Sequence, residues 1–385
     1  MTRRLFLRSM TTSATALGVA GVTGLAPAES QPDMPERVVL DPVPRIGFDT
    51  GDSISFPASL SSCLRYLDAD AGLDYAYLLG TSGVAFGLLW EKSPWLYVSD
   101  LVDRALSQGE EGPVRRACES VGYRFRIIPH TDDPGQEAAM REAIVGSIRD
   151  ARVPVLATGV VGPPACGMVT GYDEGGDVLI GWSFFQSFVD HGEADGYEPS
   201  GCYRKRDWYR DTFQVIVLQP MGAAPDPATV YRSAVGWAVD LIRTPELYGC
   251  HCGLAAYQAW ARAVRTDADS PPDDLDVLLS RLDCHFGALM VVAEGRHRAA
   301  QFLRRVVDAL PAMADDLHPA ADLCDEVSGK AAKMAELQGG FDPHSAYVAR
   351  KLGEAATRRD VAALIDEARD LEAQVADHLE RALRT

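Results

Sequence analysis

Residues 53–67 read SISFPASLSSCLRYL, and the fold is read outward from them. Leu60, Leu64 and Leu67 are spaced four and three apart, which puts one apolar stripe on a helix of about three turns. Pro57 suits the first turn, because its missing N–H would have had no partner there. Ser55 therefore falls at or just before a helix N-terminus, where exposed N–H groups and the helix dipole favour negative charge.

Past this helix, residues 80–90 (GTSGVAFGLLW) mix glycines with large apolar side chains. Two readings stay open: a loop packed close to the helix carrying Ser55, or a tight turn into a buried strand. Residues 95–107 and 113–120 have helical spacing, and residues 123–128 alternate as a strand does. Residues 138–150 form an amphipathic helix with Met140, Ile144 and Ile148 on one stripe. Short apolar runs at 153–157 and 213–218 are strands. Residues 166–173 and 178–182 flank Glu174-Gly175-Gly176-Asp177, a hairpin pattern. Helix comes first and an antiparallel sheet last.

Two motifs carry a family resemblance. Ser55-Phe56-Pro57-Ala58-Ser59-Leu60 with Leu64 and Tyr66, and Val169-Thr170-Gly171-Tyr172-Asp173 in the hairpin, resemble bacterial papain-like cysteine peptidases. The nearest are the bacteriocin-processing (double-glycine leader) peptidases and the N-terminal domain of butirosin-biosynthesis protein H. The resemblance runs from Asp41 to Leu218. It implies an α+β papain-like domain, and an all-α helical domain follows it in the sequence. It also maps four functional positions. The nucleophilic cysteine falls on Ser55, the oxyanion glutamine on Asp49, the histidine on Ala165 beside Cys166, and the Asn or Asp near Ser183. All four depart from the family pattern. A serine without a base to take its proton is a poor nucleophile.

The expected function is therefore binding of a small molecule or peptide in the former catalytic cleft, with no cofactor and no metal. Ser55, Cys166, Gly83 and Trp182 are the candidate walls, joined by Ser183 and Asp49. Cys166 admits three roles: displaced nucleophile, ligand contact or small core residue. The alternative is an active amide or ester hydrolase, or an acyltransferase, built on Ser55 or Cys166 with a rearranged base. His130 and His191 lie outside the motif and are the histidines of this segment. A third reading is a scaffold acting through the helical domain.

Three further clusters stand out. Residues 203–210 (YRKRDWYR) suit either an anion or the solvated face of an edge strand. Glu294 and His297 have the Glu-x-x-His spacing of di-iron bundles, without a second copy in the sequence. Cys250-His251-Cys252 is too tightly spaced for the usual zinc pairs.

The 385 residues are 47% hydrophobic and 24% charged, the balance of a globular protein. Residues 1–28, with Arg3, Arg4 and Arg8 ahead of an apolar run, read as a twin-arginine export signal ending at Ala26-Pro27-Ala28. A periplasmic or extracellular destination follows, with no membrane span after signal removal. The net charge is −18, and it becomes three units more negative without the signal. Such a surface argues against nucleic acid as a partner. Residues 29–45 are an extended lead-in, 46–219 the papain-like domain, 220–229 a proline-rich linker and 230–385 the helical domain.

Overall fold

A computed structural model gives the fold, and the structure describes residues 36–68, 74–93, 95–98, 100–188, 194–221, 225–266, 268, 270 and 273–385. The export-signal reading, the start of the lead-in, His191 and residues 222–224 of the linker lie outside the described residues.

In chain order the first elements are β1 (Val38–Val39), α1 (Ser55–Leu67), α2 (Tyr75–Ser82), β2 (Leu89–Trp90), α3 (Leu101–Ser107) and α4 (Gly112–Ser120). Next come β3 (Tyr123–Pro129), α5 (Gln136–Gly146) with a π-helical turn Ser147–Ala151, β4 (Val155–Thr158), β5 (Cys166–Asp173) and β6 (Val178–Trp182). They are followed by β7 (Gly196–Tyr197), β8 (Tyr203–Lys205), α6 (Trp208–Asp211) and β9 (Gln214–Pro220). The rest is α7 (Pro227–Arg243), β10 (Glu246–Leu247), β11 (Cys250–Cys252), α8 (Gly253–Arg265), α9 (Leu275–Ala309), α10 (Ala314–Leu337), α11 (Ala346–Gly353) and α12 (Ala355–Ala382). Mixed helix and antiparallel sheet, with a helical C-terminal region, is what the sequence pattern led us to expect.

These elements gather into two compact units that are not consecutive in sequence. The described residues up to Gly47 join Arg126–Val217 in a sheet unit, and Phe48–Phe125 join Leu218–Thr385 in a helical unit. The helix bearing Ser55 thus groups with the C-terminal helices, a division that differs from one at residues 220–229.

In the sheet unit the strand order is β3-β9-β4-β5-β6-β8-β7. β5 is its hub. One edge of β5 pairs with β4, from Val155↔Val169 to Thr158↔Cys166, and further along with β1, through Val39↔Gly171 and Val38↔Tyr172. The lead-in is therefore partly a strand. The other edge pairs with β6 in the expected hairpin, closed by a short 3-10 turn in which Gly175 has φ 64°. Only glycine takes that backbone region at little cost. Leu156, Met168, Val169, Leu179, Ile180, Val215 and Ile216 are fully buried, as are Met140, Ile144 and Ile148 from the helix the spacing predicts.

In the helical unit the first ten residues of α1 are all buried, more than one apolar stripe requires. Serine and alanine at Ser55, Ala58, Ser59, Ser61 and Ser62 keep its other faces small enough for close neighbours. α2 was not expected. Asp74 caps it by accepting Tyr77 N–H at 2.9 Å, and Gly83 ends it with φ 87°. Beyond residue 230 the longest helix, α9, is continuous for 35 residues. Its Gly287 is accommodated because Tyr97 and the Val98 carbonyl press against it, where a Cβ would lie 3.0 and 3.3 Å away. Trp90, Trp95 and Trp260 centre the helical core, with Trp90 stacked on Trp260 at 6.2 Å.

Candidate functional site

The candidate residues divide between the units, and each group is built here from its own unit. In the helical unit Ser55 is the first residue of α1 and 6% exposed. The residue before the helix is Ile54, which offers no side-chain cap. The positive end is instead met by a carboxylate from α9. Glu294 Oε1 accepts Ser53 N–H at 2.9 Å and the Tyr75 hydroxyl at 2.6 Å, while that hydroxyl accepts Ile54 N–H at 2.9 Å. Arg298 completes the cluster by donating to Gly51 O at 2.8 Å and Asp52 at 3.2 Å. Burial, with Glu294 beside it, pushes the Tyr75 phenol well above its ordinary value. A helix start already holding a carboxylate is poorly suited to a second developing negative charge, the kind an alkoxide at Ser55 would bring.

Glu294 is therefore a helix-end partner, and the rest of its motif has other work. His297 faces Asp325 at 3.3 Å, and among the described residues no three His, Cys, Asp or Glu side chains converge to hold a metal. Cys250 and Cys252 are buried on one side of β11, and strand alternation turns His251 to the other. All eight cysteines are buried, and none is in a disulfide.

Arg296 is the functional-looking residue that sequence reasoning missed. Fully buried, it donates from Nε to Glu372 at 2.5 Å and from its terminal nitrogens to the carbonyls of Ala85, Phe86 and Gly87 at 3.0–3.2 Å. Tyr257 donates to the same carboxylate at 3.3 Å. The glycine-rich run after α2 is thus read by α9 through its backbone, and Gly295 has no Cβ to hold that run away. The signal was present: Arg296 lies among Val292, Ala299, Ala300 and Leu303, a charge on an apolar stripe. Gly83 ends α2 against the Trp237 indole, and Asp49 lies exposed in the one-turn helix Phe48–Thr50.

In the sheet unit Cys166, Trp182 and Ser183 come close together. Directly opposed residues of antiparallel strands share a face, as do residues two apart. Thr158↔Cys166 and Met168↔Trp182 therefore put Thr158, Cys166, Met168 and Trp182 on one face. Cys166 is 1% exposed, and its thiol donates weakly to Gly167 O at 3.6 Å. Ser183 donates to Val161 O at 2.6 Å and accepts Phe185 N–H at 3.1 Å, which pins the loop after β6. Two polar atoms on this face, Trp182 Nε1 and Thr158 Oγ1, are buried with no hydrogen-bond partner among the described residues. Sequence reading named Trp182 and passed over Thr158, which closes an ordinary apolar strand.

The basic run 203–210 is matched by acids within its own unit. Arg204 meets Asp173 and Glu198 at 2.8 and 2.6 Å, Arg206 meets Glu174 at 2.5 Å, and Lys205 meets Asp211 at 3.2 Å. His130 stacks on Tyr209 and hydrogen-bonds its carbonyl at 3.0 Å.

The chain matches no family model and no curated protein.

Proposed function

We propose that this chain is an exported papain-like-fold protein that has lost the Cys/His/Asn set. It binds a small molecule or peptide on the sheet face bearing Cys166 and Trp182. The observation that carries this reading is the pair of buried, unpartnered groups on that face, Trp182 Nε1 and Thr158 Oγ1. A buried donor or acceptor left without its hydrogen bond costs about 1–3 kcal/mol, so a native protein rarely keeps two on one sheet face unless something meets them. Indole N–H only donates and the threonine hydroxyl does both. The occupant therefore presents acceptors, as a carbonyl of an amide, ester or peptide does. Binding in place of hydrolysis is further supported by Ala165, Asp49 and Ser183 at the family's catalytic positions, and by the carboxylate of Glu294 at the start of α1.

Linkage supplies the test. A ligand bound only by the folded chain raises its melting temperature. Gently purified protein should melt higher than the same protein unfolded, stripped and refolded. That difference should vanish in Trp182→Phe and Thr158→Val. Equal melting of native and stripped wild type would sink the reading.

A further inference from the structure

We infer that a groove in the helical unit, between α8 and α12, is a binding site for a phosphate group. This site is independent of the sheet face discussed above. The groove is open to solvent, has a volume of about 390 Å³ and is lined by Gln258, Arg262, Arg265, Thr266, Asp366 and Arg369. Gln258, Arg262 and Arg265 recur at four and three residues, which places them on one face of α8. Three guanidiniums from two helices thus border one opening, with Asp366 as the one carboxylate among the described lining residues. In a chain of net charge −18, that local excess of positive charge runs against the composition.

Two of the arginines are held in place. Arg265 donates to the Ala362 carbonyl at 3.1 Å and pairs with one oxygen of Asp366. Arg369 pairs with the other oxygen of Asp366 at 3.1 Å and with Asp370 at 2.8 Å. The carboxylate therefore bridges two guanidiniums and fixes their spacing, which lowers the ordering cost of binding. Donors remain. To described residues Arg265 bonds through Nη2, and Arg262 is exposed, with no side-chain hydrogen bond or ion pair to any described residue. Cations in the last turn of α8 also complement its dipole, which accounts for Arg262 and Arg265. It does not account for Arg369, which sits in the interior of α12. The acids next in sequence, Asp267 and Asp269, lie outside the described residues.

Geometry selects the ligand class. A guanidinium presents a planar fork of donors, and a carboxylate has two oxygens to offer three such forks. A tetrahedral phosphate has three or four. The shared chemistry is a phosphate dianion, either free or as the head of a phosphorylated small molecule.

Calorimetric titration of the full chain at constant ionic strength, with inorganic phosphate, phenyl phosphate and malonate as probes, tests this. Saturable binding of phosphate is expected. Arg262→Ala and Arg369→Ala should each weaken it by roughly fivefold, the size of one partly exposed charge-assisted bond. Arg115→Ala, which removes a surface pair between α4 and Glu111 just before it, should leave it unchanged. Tighter binding of phenyl phosphate would mark a phosphorylated molecule as the ligand, and equal binding would mark free phosphate. An unchanged melting curve for Arg262→Ala keeps the comparison valid, because that side chain bonds to nothing described. Absence of saturable phosphate binding, an Arg262→Ala affinity equal to wild type, or malonate binding as tightly as phosphate overturns the proposal.

Discussion

Arg296 and Glu372 form a buried pair whose charges are both removed from water, with side chains 1% and 2% exposed. Breaking such a pair from one side leaves an uncompensated charge in the core. Arg296→Met or Glu372→Gln alone should therefore cost about 3–5 kcal/mol in urea unfolding. Changing both together should recover a large part of that loss, since the partners share one interaction. Simple additivity of the two losses would show that the pair does not act as a unit. His285 is the complementary case of a buried group kept neutral. Trp260 Nε1 donates to its Nδ1 at 3.0 Å, so the proton sits on Nε2 and is given to Gln338 Oε1 at 2.8 Å. Burial lowers its pKa from 6.5 to about 4. The unfolded chain therefore binds a proton below pH 6.5 that the folded chain refuses until about pH 4. The stability linked to His285 is complete above pH 6.5 and is lost as the pH falls toward 4, about 2 kcal/mol by pH 5. His285→Gln should flatten that slope between pH 7 and 5; an unaltered slope would show that His285 is not its source. Neither network could be paired from sequence. An Arg and a Glu on apolar stripes were visible, but helical periodicity says nothing of which stripe faces which.

At the scale of elements, the strands and most helices followed from local chemistry. The hairpin was legible because Gly175-Gly176 between two apolar runs leaves few alternatives, and β5 and β6 form it. The helix expected at 95–107 starts only at Leu101, because Asp100 accepts Val102 N–H at 2.7 Å and Asp103 N–H at 3.1 Å and fixes the start there. α2 escaped notice because its eight residues are buried on every face and so show no period. Its end yields a sharp prediction. At φ 87° a side chain on Gly83 is strained, and its Cβ would overlap the Trp237 indole, whose Nε1 donates to Ser82 O at 3.3 Å. Gly83→Ala should lower stability by about 1–3 kcal/mol, measured by thermal and urea unfolding. A neutral result would mean that this turn is looser than the packing indicates.

For the whole molecule, mixed α and antiparallel β with a helical C-terminal region was legible from hydrophobic period alone. The grouping into units was not, since α1 to α4 precede the sheet in sequence yet cluster with α7 to α12. Contact between segments more than a hundred residues apart leaves no local trace, and Ser53 and Glu294 are 241 positions apart. Of the candidate site, the positions of Cys166, Trp182 and Ser183 around one hairpin could be read from its motif. Thr158 could not, because only strand register places it opposite Cys166. No helix among the described residues is long and apolar enough to cross a membrane. We propose that this chain binds its ligand without forming a covalent intermediate. The most direct test is site-mapped labelling of the folded chain near neutral pH, with a thiol alkylator and a serine-directed acylating probe, against a denatured control. Cys166 and Ser55 should be modified in the folded chain no faster than unactivated side chains, with Cys166 reached readily only after denaturation. Rapid modification of either residue in the folded chain alone would reveal an activated nucleophile and contradict it.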